Sequence, residues 1–382
     1  MDLRNKQRIF LSVFFFLSGF CFSSWASRIP TIKSNFNLNE AELGTILLFM
    51  PISSLIGLPI SGWLVSRYDS RKPLSFAFIS LALAIAGVGY APSVFMLIIC
   101  LCVFAFSMRI LNIAMNTQAL TLQQKFDRKI NGSFHGLWST GGIAGIGFST
   151  LLVAYNIGMG IHLLSVCLVT LLTTFIAYRF LIRHDRSTSG NKLMLSKPDP
   201  YIVYLGLLVF FAAICEGGMF DWSGIFFKEV VNVELFTLGY LIFMICMALS
   251  RFATDHVVDV IGMSKTYGIS ALLIFIGIDL AVLMPTFWPS MIGFCLVGFG
   301  TAAVIPMTFM LASGSKKYSP GMAISIIATY GIAGSFIGPP LIGYLAHAVG
   351  LRSSFIAFAI SGMMLIPVSQ LFFRHQKTMN KN

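Results

Sequence analysis

Two carboxylates stand at the end of an apolar run in the middle of the chain. The run "YIVYLGLLVFFAAI" (201–214) is followed by "CEGGMFDWSG" (215–224), which contains Glu216 and Asp221. A carboxylate among apolar neighbours is a typical proton relay in membrane proteins, so Glu216 is a candidate for proton coupling. Two alternatives are a structural carboxylate paired with Arg28 or a Trp N–H, and direct contact with a solute. We interpret Asp221 as a gate or capping residue paired with Arg28.

A second constellation lies in "FAFSMRILNIAMN" (104–116). Arg109, Asn112 and Asn116, which we call the polar stripe, are spaced i, i+3 and i+7 and share one helical face. Asn side chains donate and accept hydrogen bonds, which suits a hydroxyl-rich ligand. Arg109 suits a carboxylate, a phosphate or a nearby acid. The alternative is a polar contact between helices. Gln118 lies off this face and is predicted to make a packing or loop contact.

Further candidates are aromatic or titratable. His135 and Trp138 share a face of "SFHGLWSTGG" (133–142), and His135 is a second candidate for proton coupling because histidine titrates near neutrality. The rings of Trp138 and Trp25 could stack on a sugar, or belong to the aromatic belt at the membrane interface. The pattern assigns no partner to Asp279.

The elements that position these residues are transmembrane helices. The 382-residue chain is 57% hydrophobic and 10% charged, with a mean hydropathy of +0.84. Soluble proteins carry about 25% charged residues, so the composition predicts an all-α integral membrane protein. Twelve apolar stretches are long enough to cross about 30 Å of hydrocarbon. They are 9–28, 42–65, 74–90, 94–120, 132–154, 158–181, 201–222, 235–254, 266–284, 289–312, 321–346 and 352–373.

The basic residues predict the orientation. With both termini cytoplasmic, 21 of the 26 Lys and Arg lie on the cytoplasmic side, Arg251 among them, and four lie outside. This asymmetry follows the positive-inside rule. The net charge of +12 is therefore a topology signal beside anionic lipid, and no nucleic-acid partner is predicted.

The chain is predicted to be a duplicated unit. "TGGIAG" (140–145) recurs as "TYGIAG" (329–334), and "NG" (131–132) recurs as "PG" (320–321) at the same offset. The loop "GWLVSRYDSRK" (62–72) has a counterpart in 251–265. The predicted domains are a six-helix bundle over 1–181, a cytoplasmic linker over 182–200 and a second bundle over 201–382.

Together these features resemble the major facilitator superfamily, in which two six-helix halves rock around a midplane site. The family's loop signature is matched by Gly62, Arg67, Arg71 and Lys72, and by Asp255 in the second copy. Ser66 stands where the family has Asp, and Asp69 stands where it has Gly. The resemblance implies that the helices carrying the polar stripe and Glu216 line the central cavity.

A narrower resemblance, carried by "SSWASRIP" (23–30), "NIAMNTQAL" (112–120), "EGGMFDWS" (216–223) and "GPPLIGYLAHAVGLR" (338–352), is to a bacterial branch near the fucose permeases. It implies a secondary active transporter of a small polar solute, a sugar or sugar derivative, in symport with protons. The open alternatives are a drug or metabolite exporter exchanging with protons, and a receptor or enzyme that does not transport.

Enzyme chemistry finds little support, since the chain has no phosphate loop, nucleophile elbow or His-Glu metal pair. All seven Cys fall within spans without metal-ligand spacing, so they are predicted to be buried apolar residues. No cofactor or metal is expected. The expected partners are the solute, protons and the lipid bilayer, and we expect a monomer in the bacterial inner membrane.

Overall fold

The structure is a computed structural model that describes residues 2–126, 130–183, 185, 199–312, 314–318 and 320–379. Its regular elements are helices, because hydrocarbon offers no hydrogen-bond partner and a spanning backbone must satisfy its own polar groups. The helices of the first half are α1 (Leu3–Ala26), α2 (Ile29–Asn35), α3 (Glu40–Arg67), α4 (Arg71–Gly89), α5 (Val94–Gln123), α6 (Asn131–Ala154) and α7 (Met159–Ala177).

The second half contains nine helical segments in its described residues. They are α8 (Pro200–Glu229), α9 (Thr237–Ile261), α10 (Met263–Leu283), α11 (Phe287–Ala302), α12 (Val304–Ala312), α13 (Pro320–Val349), α14 (Leu351–Ser354), α15 (Ile356–Met363) and α16 (Leu365–Met379). α8 passes through Gly217 and Gly218 without a break.

Twelve stretches of these helices are long and apolar enough to cross a membrane, as predicted. Four of them are built from more than one segment, and the sixth of the twelve joins α7 to a short 3-10 helix, Tyr178–Phe180. The first combines α1 and α2, which meet at Ser27 and Arg28 ahead of Pro30. The tenth combines α11 and α12, and the twelfth combines α14, α15 and α16.

The chain divides into two compact units. The first comprises Met1–Asn37 and Phe49–Met194, and the second comprises Leu38–Leu48 and Leu195–Asn382. The start of α3 groups with the second unit because Gly44 packs on Gly343 and the Thr45 hydroxyl lies 3.0 Å from that of Tyr344. The division at a 182–200 linker stays a prediction, since residues 184 and 186–198 lie outside the described part.

The internal repeat has a packing counterpart in each unit. In the first unit α1 packs along α6, and a Cβ at Gly145 would collide with the backbone oxygen of Phe20. In the second unit α8 packs along α13, and a Cβ at Gly334 would collide with the backbone oxygen of Phe210. The repeated glycine of "TGGIAG" and "TYGIAG" therefore lets the same pair of helices approach closely in each half.

One helical turn before Gly145 and Gly334, the glycine of the helix pair lies on the second helix in the first unit and on the first helix in the second unit. Gly141 in α6 lies against the backbone of Phe16 in α1. In the second unit the glycine is Gly206 in α8, and the ring of Tyr330 in α13 covers it, with a Cβ at Gly206 lying 2.7 Å from the ring. A glycine thus gives room for the partner helix in both units, although it lies on a different helix in each.

In the described structure, the predicted cytoplasmic loop motif forms a loop of several residues between two helices in the first copy, but not in the second. α3 ends at Arg67 and α4 begins at Arg71, whose guanidinium lies over the ring of Tyr178. Asp69 is buried. In the second copy α9 continues to Ile261 and Gly262 alone joins it to α10. The prediction of a loop over 251–265 is therefore wrong, and Arg251 and the backbone of Asp255 are helical.

Gln118 secures this first loop. Its amide nitrogen donates to Asp185 Oδ2 at 2.8 Å, and its oxygen accepts from the backbone of Ile182 at 2.9 Å. Asp185 also accepts hydrogen bonds from the backbone and the hydroxyl of Ser70. The predicted loop contact of Gln118 is confirmed.

Candidate functional site

The second unit holds an ion pair between two of its spans. Glu216 lies near the middle of the 30-residue α8, and Arg251 lies within the 25-residue α9. Arg251 Nη2 donates to Glu216 Oε1 at 2.9 Å. The other carboxylate oxygen, Oε2, is buried and has no hydrogen-bond partner among the described residues. In the described part of the chain, the carboxylate therefore has one paired oxygen and one buried oxygen without a hydrogen-bond partner.

The sequence places Arg251 at the end of the eighth predicted span (235–254) and counts it among the cytoplasmic charges, whereas the structure places it within α9, paired with Glu216. The two side chains are only 14% exposed for Glu216 and 32% for Arg251. Moving Arg251 into a span leaves 20 basic residues on the predicted cytoplasmic side, so the asymmetry that predicts the orientation persists.

The polar stripe lies on α5 in the first unit. Arg109 Nε donates to the Ser54 hydroxyl of α3 at 2.9 Å. Its two terminal nitrogens donate no hydrogen bond within the described part of the chain, and the residue is partly exposed. Asn112 is exposed, and Asn116 Nδ2 donates to the Asn112 carbonyl oxygen at 2.7 Å. The three residues thus share one accessible face, as predicted.

Arg28 forms two hydrogen bonds within its own unit. Its Nε donates to His162 Nδ1 at 3.0 Å, and its Nη2 donates to the Ile157 carbonyl oxygen at 3.1 Å. Glu216 bonds Arg251, and the alternative that pairs Glu216 with Arg28 stays a prediction. Asp221 lies just over one turn beyond Glu216 on α8 and is partly exposed. Its predicted role at a gate, and that of Arg28, stay predictions.

The aromatic candidates lie in different surroundings. Trp25 is 2% exposed and packs on Phe104, so its ring is inside the first unit and is closed to a solute in this conformation. Trp138 is partly exposed and lies beside Phe22. His135 is exposed, and its ring meets the edge of Phe15. Their predicted contacts with solute and proton stay predictions.

Two functional candidates had no place in the sequence analysis. His162, which is fully buried near the start of α7, accepts the hydrogen bond from Arg28. A groove of about 460 Å³ also runs along the first turns of α1, where Asn5, Arg8 and Ser12 recur at helical spacing above Phe16 and Leu137. The i, i+3, i+7 pattern in "NKQRIFLS" (5–12) was the available signal.

These features are those of a polytopic membrane transporter: twelve apolar spans in two repeated units, with a few ionised side chains inside the spans. The sequence matches the family model of the Major Facilitator Superfamily over residues 9–313 and 233–382, so the chain belongs to that superfamily and is a transporter, not an enzyme.

Its relatives share nearly its whole length. It is 29% identical to an uncharacterised MFS-type transporter of Yersinia pestis, covering 95% of this chain and 94% of that one. It is 28% identical to the membrane protein MosC of Rhizobium meliloti, covering 95% and 89%. It is 30% identical to the uncharacterised transporter y4wD of Sinorhizobium fredii (strain NBRC 101917 / NGR234), covering 93% and 96%.

Solved structures share the fold. The nucleoside transporter NupG superposes with a TM-score of 0.72 at 14% identity, covering 98% of this chain and 99% of that one. A bacterial homologue of the human lysosomal transporter Spinster, in an inward-facing unoccupied conformation, superposes with a TM-score of 0.78 at 15% identity, covering 98% of both chains. Identities this low support the fold alone.

Proposed function

We propose that the protein is a secondary active transporter that concentrates a small polar solute by coupling its movement to protons, with Glu216 as the coupling carboxylate. The observation that carries the proposal is the ion pair of Glu216 and Arg251 inside two spans of the second unit. Ionised residues within spans are costly and typically serve substrate or ion pathways.

The pair has two chemical states. While Glu216 is ionised, its attraction to the Arg251 guanidinium holds α8 and α9 together through the 2.9 Å hydrogen bond. Proton uptake at Oε2, the buried oxygen that lacks a partner, neutralises the carboxyl group and removes that attraction. A proton and an intact ion pair therefore exclude one another, which is the property that a coupling site requires.

The polar stripe supports a polar solute. Asn112 is exposed and Arg109 keeps accessible donors, so the face offers hydrogen bonds to hydroxyl or acidic groups. This favours a sugar-like solute over the amphipathic substrates of a drug exporter. The resemblance to the fucose permeases and the shared fold of the nucleoside transporter NupG both suggest hydroxylated compounds as the first to test.

The first step of the test is to find a solute. A thermal-shift screen of the purified protein against sugars, nucleosides, sugar acids and amphipathic cations identifies one, because a ligand that binds only the folded state raises the apparent stability. The solute is then assayed in proteoliposomes for downhill exchange and for accumulation driven by a pH gradient.

Glu216→Gln separates coupling from binding. The amide keeps the shape of the side chain and cannot release a proton, so we expect downhill exchange to continue and accumulation against the gradient to be lost. Asp279→Asn is the matched control, because Asp279 is a partly exposed acid in the same unit that lies near the end of α10, outside the ion pair. It should accumulate solute as the unmodified protein does.

Accumulation that survives in Glu216→Gln would remove Glu216 from the mechanism and leave His135 or uniport as the explanation. If Glu216→Gln instead lowers the yield of folded protein while the remaining molecules still accumulate solute, the ion pair is a structural link between α8 and α9.

A further inference from the structure

The spans of the first unit contain basic residues and no acid. Helices α1, α2, α4, α5, α6 and α7 hold no Asp or Glu, and neither does α3 from Phe49 onward. Arg28 and Arg109 nevertheless lie within these helical stretches, away from the ends that the sequence predicts to be cytoplasmic. In the second unit, by contrast, Arg251 is neutralised by Glu216. The first unit therefore carries positive charge that its own helices leave uncompensated.

The side chain of Arg28 is buried, whereas that of Arg109 is partly exposed. Arg28 is 4% exposed and bonds His162 and the Ile157 carbonyl oxygen. Within the described part of the chain, Arg109 is held by one hydrogen bond, from its Nε to the Ser54 hydroxyl at 2.9 Å. Gly57, next to Ser54 on α3, lets that helix approach, since a Cβ there would lie 3.3 Å from Arg109 Cβ. The head group is thus oriented while its terminal N–H groups stay accessible.

This accessible face must meet water and not lipid. Arg109 lies near the middle of the 30-residue α5, and a charged side chain at the bilayer centre costs roughly 2.5–3.5 kcal/mol on insertion scales. Asn112, exposed on the same face, would add the cost of an unpaired amide. The face of α5 that carries the polar stripe therefore lies toward an aqueous path.

We propose that the polar stripe is the binding site for the anionic group, a carboxylate or a phosphate, of a hydroxylated solute; the identity of that solute as cargo rests on the transport function proposed above. The planar guanidinium can donate two parallel hydrogen bonds to such a group. The amide of Asn112 can bond an adjacent hydroxyl. The solute class is accordingly a small hydroxylated acid, and a cationic solute is disfavoured.

The first experiment measures the local charge preference. Asn112→Cys is placed in a full-length chain whose seven native cysteines, all free, are replaced by alanine. The thiol is labelled in phosphatidylcholine vesicles, which contain no anionic headgroup, with methanethiosulfonate reagents bearing either a sulfonate or a quaternary ammonium. Rates are divided by those of a free thiol in solution.

The sulfonate reagent should react roughly tenfold faster than the ammonium reagent, because a unit charge about 6 Å away attracts one and repels the other. Arg109→Gln should abolish this ratio, whereas Arg109→Lys should retain it. Arg179→Gln, which removes an exposed charge of the same unit at the end of the sixth span, should leave it unchanged. A ratio near one, a ratio that survives Arg109→Gln, or no labelling by either reagent overturns the proposal.

A second experiment uses the unmodified chain and decides the matter even if the cysteine-free chain does not fold. Phenylglyoxal modifies accessible guanidinium groups, and mass spectrometry of the digested protein reports the extent at Arg109. At equal ionic strength, inorganic phosphate and gluconate should slow modification of Arg109 relative to chloride, while neutral glucitol should not. An Arg109 that resists phenylglyoxal in chloride, or reacts equally fast in all four solutions, contradicts the anion site.

Both experiments are made without a solute gradient, so their outcome is independent of coupling. A chain that shows the anion preference yet transports nothing would remove the proposed function and leave the anion site standing. A chain that accumulates a solute but shows no anion preference at Asn112 would remove the anion site and leave the proposed function standing.

Discussion

Three arginines inside spans are stabilised in different ways, and the partner of each indicates its role. Arg251 has an acid, Arg109 has a hydroxyl and accessible donors, and Arg28 has a buried imidazole. Since Nδ1 of His162 accepts the hydrogen bond from Arg28, that imidazole is neutral. The pair joins the break between α1 and α2 to the start of α7, which favours a structural role for Arg28 in the described conformation.

Removing the imidazole should leave the Arg28 guanidinium buried without its acceptor. We expect His162→Ala to lower the free energy of unfolding by about 1–3 kcal/mol, as when a buried charged donor loses its hydrogen-bond acceptor. The measurement is the apparent melting temperature of the detergent-purified protein. His162→Gln, whose side-chain oxygen can accept the same hydrogen bond, should recover part of the loss.

Leu168→Ala on the same helix is the control, because Leu168 is 58% exposed and its truncation should change the melting temperature little. If His162→Ala melts with the unmodified protein, the hydrogen bond to Arg28 contributes nothing to stability, and Arg28 is free to serve the predicted gate.

The candidate site was predictable where a polar residue interrupts an apolar run, and not where its partner lies far along the chain. Glu216 and the polar stripe stand out in the sequence for that reason. Their surroundings do not: Arg251 is 35 residues from Glu216, and His162 is 134 residues from Arg28. Arg251 was counted among the cytoplasmic charges because it begins a stretch of charged residues. Hydropathy cannot distinguish a paired charge inside a span from a charge in a loop.

At the scale of helices, the described structure depends on glycines where helix backbones meet. Without a hydrophobic driving force between helices in lipid, small residues allow the close packing that holds the spans together. Within one turn, α6 contains one glycine at a close contact between helices and one glycine that faces open space. A Cβ at Gly145 would collide with the Phe20 carbonyl oxygen of α1, whereas a Cβ at Gly147 would meet nothing within 4 Å.

This difference predicts opposite effects for two neighbouring substitutions. Gly145→Ala should force α1 and α6 apart and lower the free energy of unfolding by about 1–3 kcal/mol, the usual cost of overpacking. Gly147→Ala should be neutral or slightly stabilising, because alanine has the higher helix propensity. Thermal unfolding of the two variants in the same detergent checks the prediction; equal melting temperatures would contradict close packing at Gly145.

The helices themselves were predictable because crossing hydrocarbon demands about 20 apolar residues in succession, a signal that a single sequence carries without ambiguity. The repeat was also visible, since Gly145 and Gly334 fill equivalent places in their units. The packing at the equivalent positions Gly141 and Tyr330 could not be predicted, because the glycine lies on a different helix in each unit and the two residue types do not match in sequence. The breaks at Ser27 and Arg28 and between α11 and α12 leave the hydropathy unchanged and were missed for that reason.

At the scale of the whole chain, the basic residues should fix the orientation in the membrane. Short loops rich in Lys and Arg are retained in the cytoplasm, and even with Arg251 assigned to a span the bias is 20 residues to four. We therefore expect a reporter that fluoresces only in the cytoplasm to be active when fused after residue 190 or after residue 382. The loop at residues 155–158, between α6 and α7, should face outward, so alkaline phosphatase inserted there should be active. Fluorescence at both fusions with phosphatase activity at the loop fits cytoplasmic termini and an even number of spans. An inactive fluorescent fusion at either site, or an inactive phosphatase at the loop, would show that the positive charge does not set the topology of this chain.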